Sequence, residues 1–245
     1  MALPILETAT FELTLPSKDV KVKYRPFLVK EEKVLLQAME SNDNKVLVDA
    51  LKQIVHACTF GVINIDELPT FDLEYVFLQI RAKSVGEIAK VKLLCPDDRE
   101  TYVETEIDLS KVEVHVDEDH SNKIEVDSTK KIGLIMSYPT INTVDPKLST
   151  KGMKTTQLFD MLANTIHQIY EGDKTHSAAD YSKEELHKFI ENLDAKTYQK
   201  INRFFDTMPK LKQDVEIENP KTKVKSIVTL QGLTDFFVLP SLTKV

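Results

Sequence analysis

The chain has 245 residues, a formal net charge of −7, and 42% hydrophobic against 29% charged residues. That balance excludes a wholly disordered chain and allows one large or two small domains. No dense Lys/Arg run is present to displace counterions from a phosphate backbone, and no run of about 18 apolar residues is present to span a bilayer, so neither nucleic acid nor membrane is an expected partner.

Met1 to Thr10 lacks a basic region followed by an apolar run of signal-peptide length, so the chain is expected to stay in the cytoplasm where it is made. Phe11–Leu15 and Val20–Tyr24 alternate apolar and polar residues on either side of Pro16-Ser-Lys-Asp19, which predicts a hairpin. Leu35, Ala38 and Met39, then Leu47, Ala50, Leu51, Ile54, Val55 and Cys58, recur at helical spacing around the polar Ser41–Asn44. They predict two amphipathic helices. A third helix follows Pro69, with Leu73, Val76, Phe77 and Ile80 on one face and its end near Ser84 to Gly86.

From Glu87 onward, β-branched residues alternate with charges through Val91, Val103, Ile107, Val112, Val114, Val116, Ile124 and Val126, which reads as a β meander closing at Ile132–Pro139. Thr140 to Thr150 is polar and contains a further proline, the composition of a linker. Beyond it, Leu158, Met161, Leu162, Thr165, Ile166 and Ile169 form a helical stripe, followed by a polar loop over 171–180. Ser182 and Glu185 have capping-box spacing ahead of Leu186, Phe189, Ile190 and Leu193. Asp194 is placed to cap a helix carrying Tyr198, Ile201, Phe204 and Phe205, which must stop before Pro209. Two strand-like runs, Val215–Glu218 and Val224–Leu230, flank Asn219-Pro220.

The expected fold is therefore α+β: an N-terminal hairpin with helices, a central antiparallel β meander, and a C-terminal helical bundle with a terminal hairpin. The expected organisation is an N-terminal region over 1–139, a linker over 140–152 and a C-terminal region over 153–245.

Few residues suggest chemistry. Asp117-Glu-Asp-His120 supplies oxygen and imidazole ligands in a row, but contiguous residues in a strand connection point apart and read as a solvated turn. Cys95-Pro-Asp-Asp98 has no partner cysteine at ligand spacing and reads as a tight turn. His56 and Cys58, two apart on a helix, do not face each other, and Cys58 falls on the apolar stripe. His167, His176, Glu171 and Asp173 match no motif with a mechanism, and neither a phosphate-binding glycine loop nor a nucleophile or zinc-protease motif occurs. No catalytic residue, cofactor or metal is expected; a metal-dependent enzyme acting through 117–120 is the competing class. The apolar run Phe236, Phe237, Val238 and Leu239 is either late core or a protein-docking surface.

Several stretches carry a likeness to a known family: Lys23-Tyr-Arg-Pro-Phe-Leu-Val-Lys-Glu-Glu-Lys33, Phe71-Asp-Leu-Glu-Tyr75 continuing to Arg81-Ala-Lys-Ser-Val-Gly-Glu87, Cys95-Pro-Asp-Asp98, Ile132-Gly-Leu-Ile-Met136, Ala179-Asp-Tyr-Ser182 and Phe204-Phe-Asp-Thr-Met-Pro-Lys-Leu211. They resemble the baseplate hub proteins of T-even-like bacteriophages, and the likeness runs through nearly the whole chain. Lys223 departs from the pattern, standing where relatives have glycine in an Asn-Pro-x-Thr-Gly turn. The resemblance implies a non-enzymatic structural or assembly protein of the contractile-tail baseplate, built in the host cytoplasm. Its implied partners are other hub proteins, with self-association possible, and it is either a virion subunit or an assembly chaperone that departs.

Overall fold

The computed structural model describes residues 7–41, 43–143 and 155–236. In chain order these form β1 (Phe11–Leu15), β2 (Val20–Tyr24), α1 (Val29–Glu40), α2 (Asn44–Cys58), α3 (Thr70–Val85), β3 (Ile88–Leu94), β4 (Tyr102–Asp108), β5 (Glu113–His115), β6 (Lys123–Asp127) and β7 (Ile132–Met136). There follow α4 (Thr155–Thr165), β8 (Ile166–Glu171), β9 (Lys174–Ser177), α5 (Lys183–Glu191), α6 (Ala195–Thr207), β10 (Lys210–Glu218), β11 (Lys225–Gln231) and α7 (Gly232–Phe236). The fold is α+β, with every strand pairing antiparallel in one of several small sheets.

One compact unit comprises the described parts of Met1–Ile65, Phe71–His115 and Lys210–Val245. Its β1–β2 hairpin is the expected one, pairs Leu13 with Val22, and buries Leu13, Leu15, Val22 and Tyr24 on one face. Helix α1 starts where the Glu31 carboxylate accepts the Leu28 amide at 2.8 Å and pairs with Arg25 at 2.9 Å. Arg25 also ties this corner to the end of α2, its amide donating to the Cys58 carbonyl at 2.9 Å. Two residues of one family-like stretch thus cap a helix and fix its entry. Helix α3 is buried along most of its length, including Asp72, whose carboxylate accepts the amide and hydroxyl of Ser17.

Leu78 and Ala82 of α3 pack with Ala89, Val91 and Leu93 of β3, Ile107 of β4, Leu211, Val215 and Ile217 of β10, and Leu230 of β11. Alternation along these strands sends every second side chain into this core.

The second unit comprises Asp66–Thr70 and the described part of Val116–Pro209. Its sheet runs in the order β6-β7-β8-β9. Ile124, Leu134, Met136 and Ile166 from the sheet share a core with Leu162 and Ala163 of α4, Leu186 and Ile190 of α5, and Ile201 and Phe204 of α6. The expected caps are present: Ser182 and Glu185 form a capping box, and Asp194 accepts the Thr197 amide at 2.7 Å.

Four sequence expectations change. The strands after Glu87 do not make one meander: β3 and β4 pair with each other, β5 pairs with β10, and β6 and β7 lead into β8 and β9. Alternation identifies a strand but carries no information about its partner, and β5 finds its partner about a hundred residues later. The stripe from Leu158 to Ile169 is not one helix either. The Thr165 hydroxyl donates back to the Met161 and Leu162 carbonyls, and the chain enters β8 at once. The polar segment that follows is not all loop: it holds a second strand, β9, reached through a two-residue turn in which Gly172 has φ +60°. Finally, the helices α4, α5 and α6 do not form a bundle with a core of their own: α4 and α5 pack together, and all three share one core with the β6–β9 sheet.

Candidate functional site

Gln231 ends β11, and Gly232, at φ +70°, turns the chain into α7, whose Asp235 carboxylate accepts the Gln231 amide at 2.8 Å. A left-handed φ suits glycine because it has no Cβ to strike the carbonyl. This turn carries Phe236 into the core with Leu211, Val215 and Leu230, where it is 0% exposed. Of the four terminal apolar residues, Phe236 is a core side chain, while Phe237, Val238 and Leu239 lie outside the described residues. The segment read as a linker, 140–152, likewise lies outside them from residue 144 onward.

Asp117 to His120 form a tight turn in which Asp117 accepts the Asp119 amide at 3.0 Å. The ligand types do not converge. Asp119 pairs with Arg203 at 3.0 Å, and His120 turns inward to form a cluster with the mutually stacked rings of Tyr138 and Phe204. Its Nδ1 lies 2.9 Å from the Thr207 hydroxyl and its Nε2 lies 3.0 Å from the Tyr138 hydroxyl. Thr207 gives its own proton to the Arg203 carbonyl, so it accepts from His120 Nδ1–H, and His120 Nε2 accepts from Tyr138. The imidazole is held neutral, with its pKa pushed down by burial. Among the described residues no group of three or more His, Cys, Asp or Glu side chains is placed to hold a metal ion.

Cys95 to Asp98 form the β3–β4 turn, with Cys95 buried. Asp98 accepts the Glu100 and Thr101 amides and the Thr101 hydroxyl, and these bonds hold its carboxyl well below the usual range. Asp97 reaches the β10–β11 turn instead, accepting from the Thr222 hydroxyl and from Asn219 Nδ2 at 3.0 Å, and its pKa is lowered by them. Each turn was legible as a turn in the sequence; their clasp, across more than a hundred residues, was not. Cys58 is fully buried, and burial pushes its thiol up to about 11, the opposite of an activated nucleophile. His56 has no described bond to it, and the four residues His167, Glu171, Asp173 and His176 are spread along β8, its turn and β9.

What remains at the surface is contact area. Phe60 and Val62 project from the loop after α2, Phe60 with a left-handed φ of +58°, and Ile227 is 68% exposed on β11. In the second unit, β6 is an outer strand of its sheet, and a groove of about 350 Å³ runs between it and α6, lined by Lys123, Lys200, Arg203, Phe204 and Thr207. No helix among the described residues is long and apolar enough to cross a membrane.

A family model described as T4 bacteriophage base plate protein matches residues 8–238. No curated protein and no solved structure matches the chain.

Proposed function

The chain belongs to the T4 bacteriophage base plate protein family, and from that premise we propose that it works in the central hub of a contractile-tail baseplate, through protein-protein contacts and without chemistry of its own. Membership makes it a phage baseplate protein of the virion tail, in contact with other baseplate components. The hub role, the reliance on docking and the lack of catalysis are our reading. The observation that carries it is the match over 8–238, nearly the whole chain.

The state of the reactive groups supports it. The Cys58 thiol is buried and its pKa raised, His120 is neutral and bonded on both nitrogens, and Asp97 and Asp98 are saturated by turn donors. Each of these groups stabilises the fold; none is poised to attack or to transfer a proton.

We place one docking contact in the terminal segment from Gly232 to Leu239. Phe236 is a side chain of this protein's own core, so the proposal rests on Phe237, Val238 and Leu239. Burying one such side chain against a partner contributes about 1.5 to 3 kcal/mol before ordering costs. Phe237→Ser tests this: the variant is expected to melt with wild type yet to lose co-purification with the other hub proteins. A variant that unfolds, or that stays folded and binds every hub protein as tightly as wild type, removes the segment from the docking surface.

A further inference from the structure

We infer that the open edge of β6 is a docking site for an extended acidic segment of another baseplate component, which adds to the β6-β7-β8-β9 sheet as a fifth strand. The inference rests on the docking reading above and gives it a second surface and a chemistry.

The first observation is the state of the edge. Among the described residues β6 pairs with β7 and with no other strand. Its outward polar groups are met by side chains: the Ser121 hydroxyl bonds both the amide and the carbonyl of Lys123, each at 3.2 Å, and the Lys200 ammonium donates to the Glu125 carbonyl at 2.8 Å. Ser121 and Lys200 are exposed, so both caps can swing away at little cost when a backbone arrives. An incoming strand supplies the same donors and acceptors in ladder geometry.

The second observation is charge. Lys200 and Arg203 line the groove on the α6 side, Lys131 lines a second groove with Tyr170, and Lys123 borders both with its ammonium on the Tyr170 side. The carboxylates lining the two grooves are Asp119 and Glu125, and Asp127 at the end of β6 is held by the Thr129 and Lys130 amides, so four cations meet three anions on a chain whose net charge is −7. Lys123 spends its charge on the Tyr170 ring, 4.9 Å away, and Arg203 pairs with Asp119 in full view of solvent. Both are weak attachments that a partner carboxylate displaces. Phe204 and Ile124 form the floor, where every second side chain of an added strand would rest. A nucleic acid strand would satisfy the cations but not the backbone edge, which favours a peptide.

The test uses the full chain and a fluorescein-labelled peptide of alternating glutamate with valine or threonine, followed by fluorescence anisotropy. Saturable binding is expected, weakened about tenfold or more by Lys200→Glu and by Arg203→Glu. These exposed substitutions leave the fold intact, as circular dichroism will verify. The lysine analogue of the peptide should not bind, nor should the acidic peptide methylated on alternate backbone nitrogens, which cannot pair as a strand. The inference is overturned by no saturable binding, by charge variants that bind like wild type, by equal binding of the methylated peptide, or by an oligothymidylate that binds as well. Co-purification with hub proteins, measured on the same variants, is a separate readout: failure of the peptide alone removes this surface, while the docking reading falls only if co-purification with wild type is absent too.

Discussion

Lys223 shows how a single residue departs from its family's pattern without breaking the turn. It occupies the left-handed region at φ +63°, its amide donating to the Asn219 carbonyl at 2.9 Å, so the backbone keeps the conformation that the expected glycine would adopt. A side chain there costs roughly 1 kcal/mol that glycine avoids. Lys223→Gly is therefore expected to raise the free energy of unfolding by about 0.5 to 1 kcal/mol in urea titration, and a decrease would contradict this reading of the turn. At His120 the folded state disfavours the proton, because burial lowers the pKa below its ordinary 6.5 and the Asp117 carboxylate offsets only part of that. The sign follows: the unfolded chain binds the proton more readily, so the contribution is fully present above 6.5 and is lost as pH falls through the folded value. Wild type should lose stability faster than His120→Asn between pH 7.5 and pH 5 when urea midpoints are compared. Parallel pH profiles would mean that the imidazole titrates alike in both states. Neither the bonding of His120 nor its burial was visible in Asp117–His120, because Tyr138 and Thr207 come from β7's exit and the end of α6.

The elements were legible where local chemistry decides them. The first hairpin, α1 to α3 and the caps at Ser182 and Asp194 follow from alternation, helical spacing and side-chain acceptors, all properties of short windows. Pairing was not legible, since β5 meets β10 and β8 follows a helix that the apolar stripe alone would have extended. One close approach between elements is at Gly133 on β7. A Cβ there would lie 2.6 Å from the Ile124 carbonyl and collide with the Tyr170 hydroxyl, so only glycine admits β6 and the Tyr170 ring together. Gly133→Ala should destabilise the chain by about 1 to 3 kcal/mol, and trimming the ring in a Tyr170→Ala background should recover only part of this because the carbonyl clash remains. Full recovery in a thermal melt would show that the ring alone sets the requirement.

At the scale of the molecule, the chain builds two compact units, keeps both cysteine thiols buried, and among its described residues offers the outside as charge, edges and scattered apolar side chains. The surface we propose for docking was the least legible part of the sequence. Phe236 looked like its neighbours in an apolar run yet sits in the core, whereas the β6 groove draws on residues from 119 to 207 that no short window joins. What the sequence did carry was the family, through stretches such as Phe71–Tyr75 and Arg81–Glu87, and the match over 8–238 agrees. The central claim is that this protein acts by being built into, or by building, the baseplate hub. Quantitative mass spectrometry of purified virions and of baseplate assembly intermediates from the same infection tests it most directly. The account predicts the chain in the hub intermediates at a stoichiometry comparable to the other hub proteins, and either retained in virions as a subunit or lost from them as an assembly factor. Its absence from both fractions, while it is expressed in the infected cell, would contradict the account.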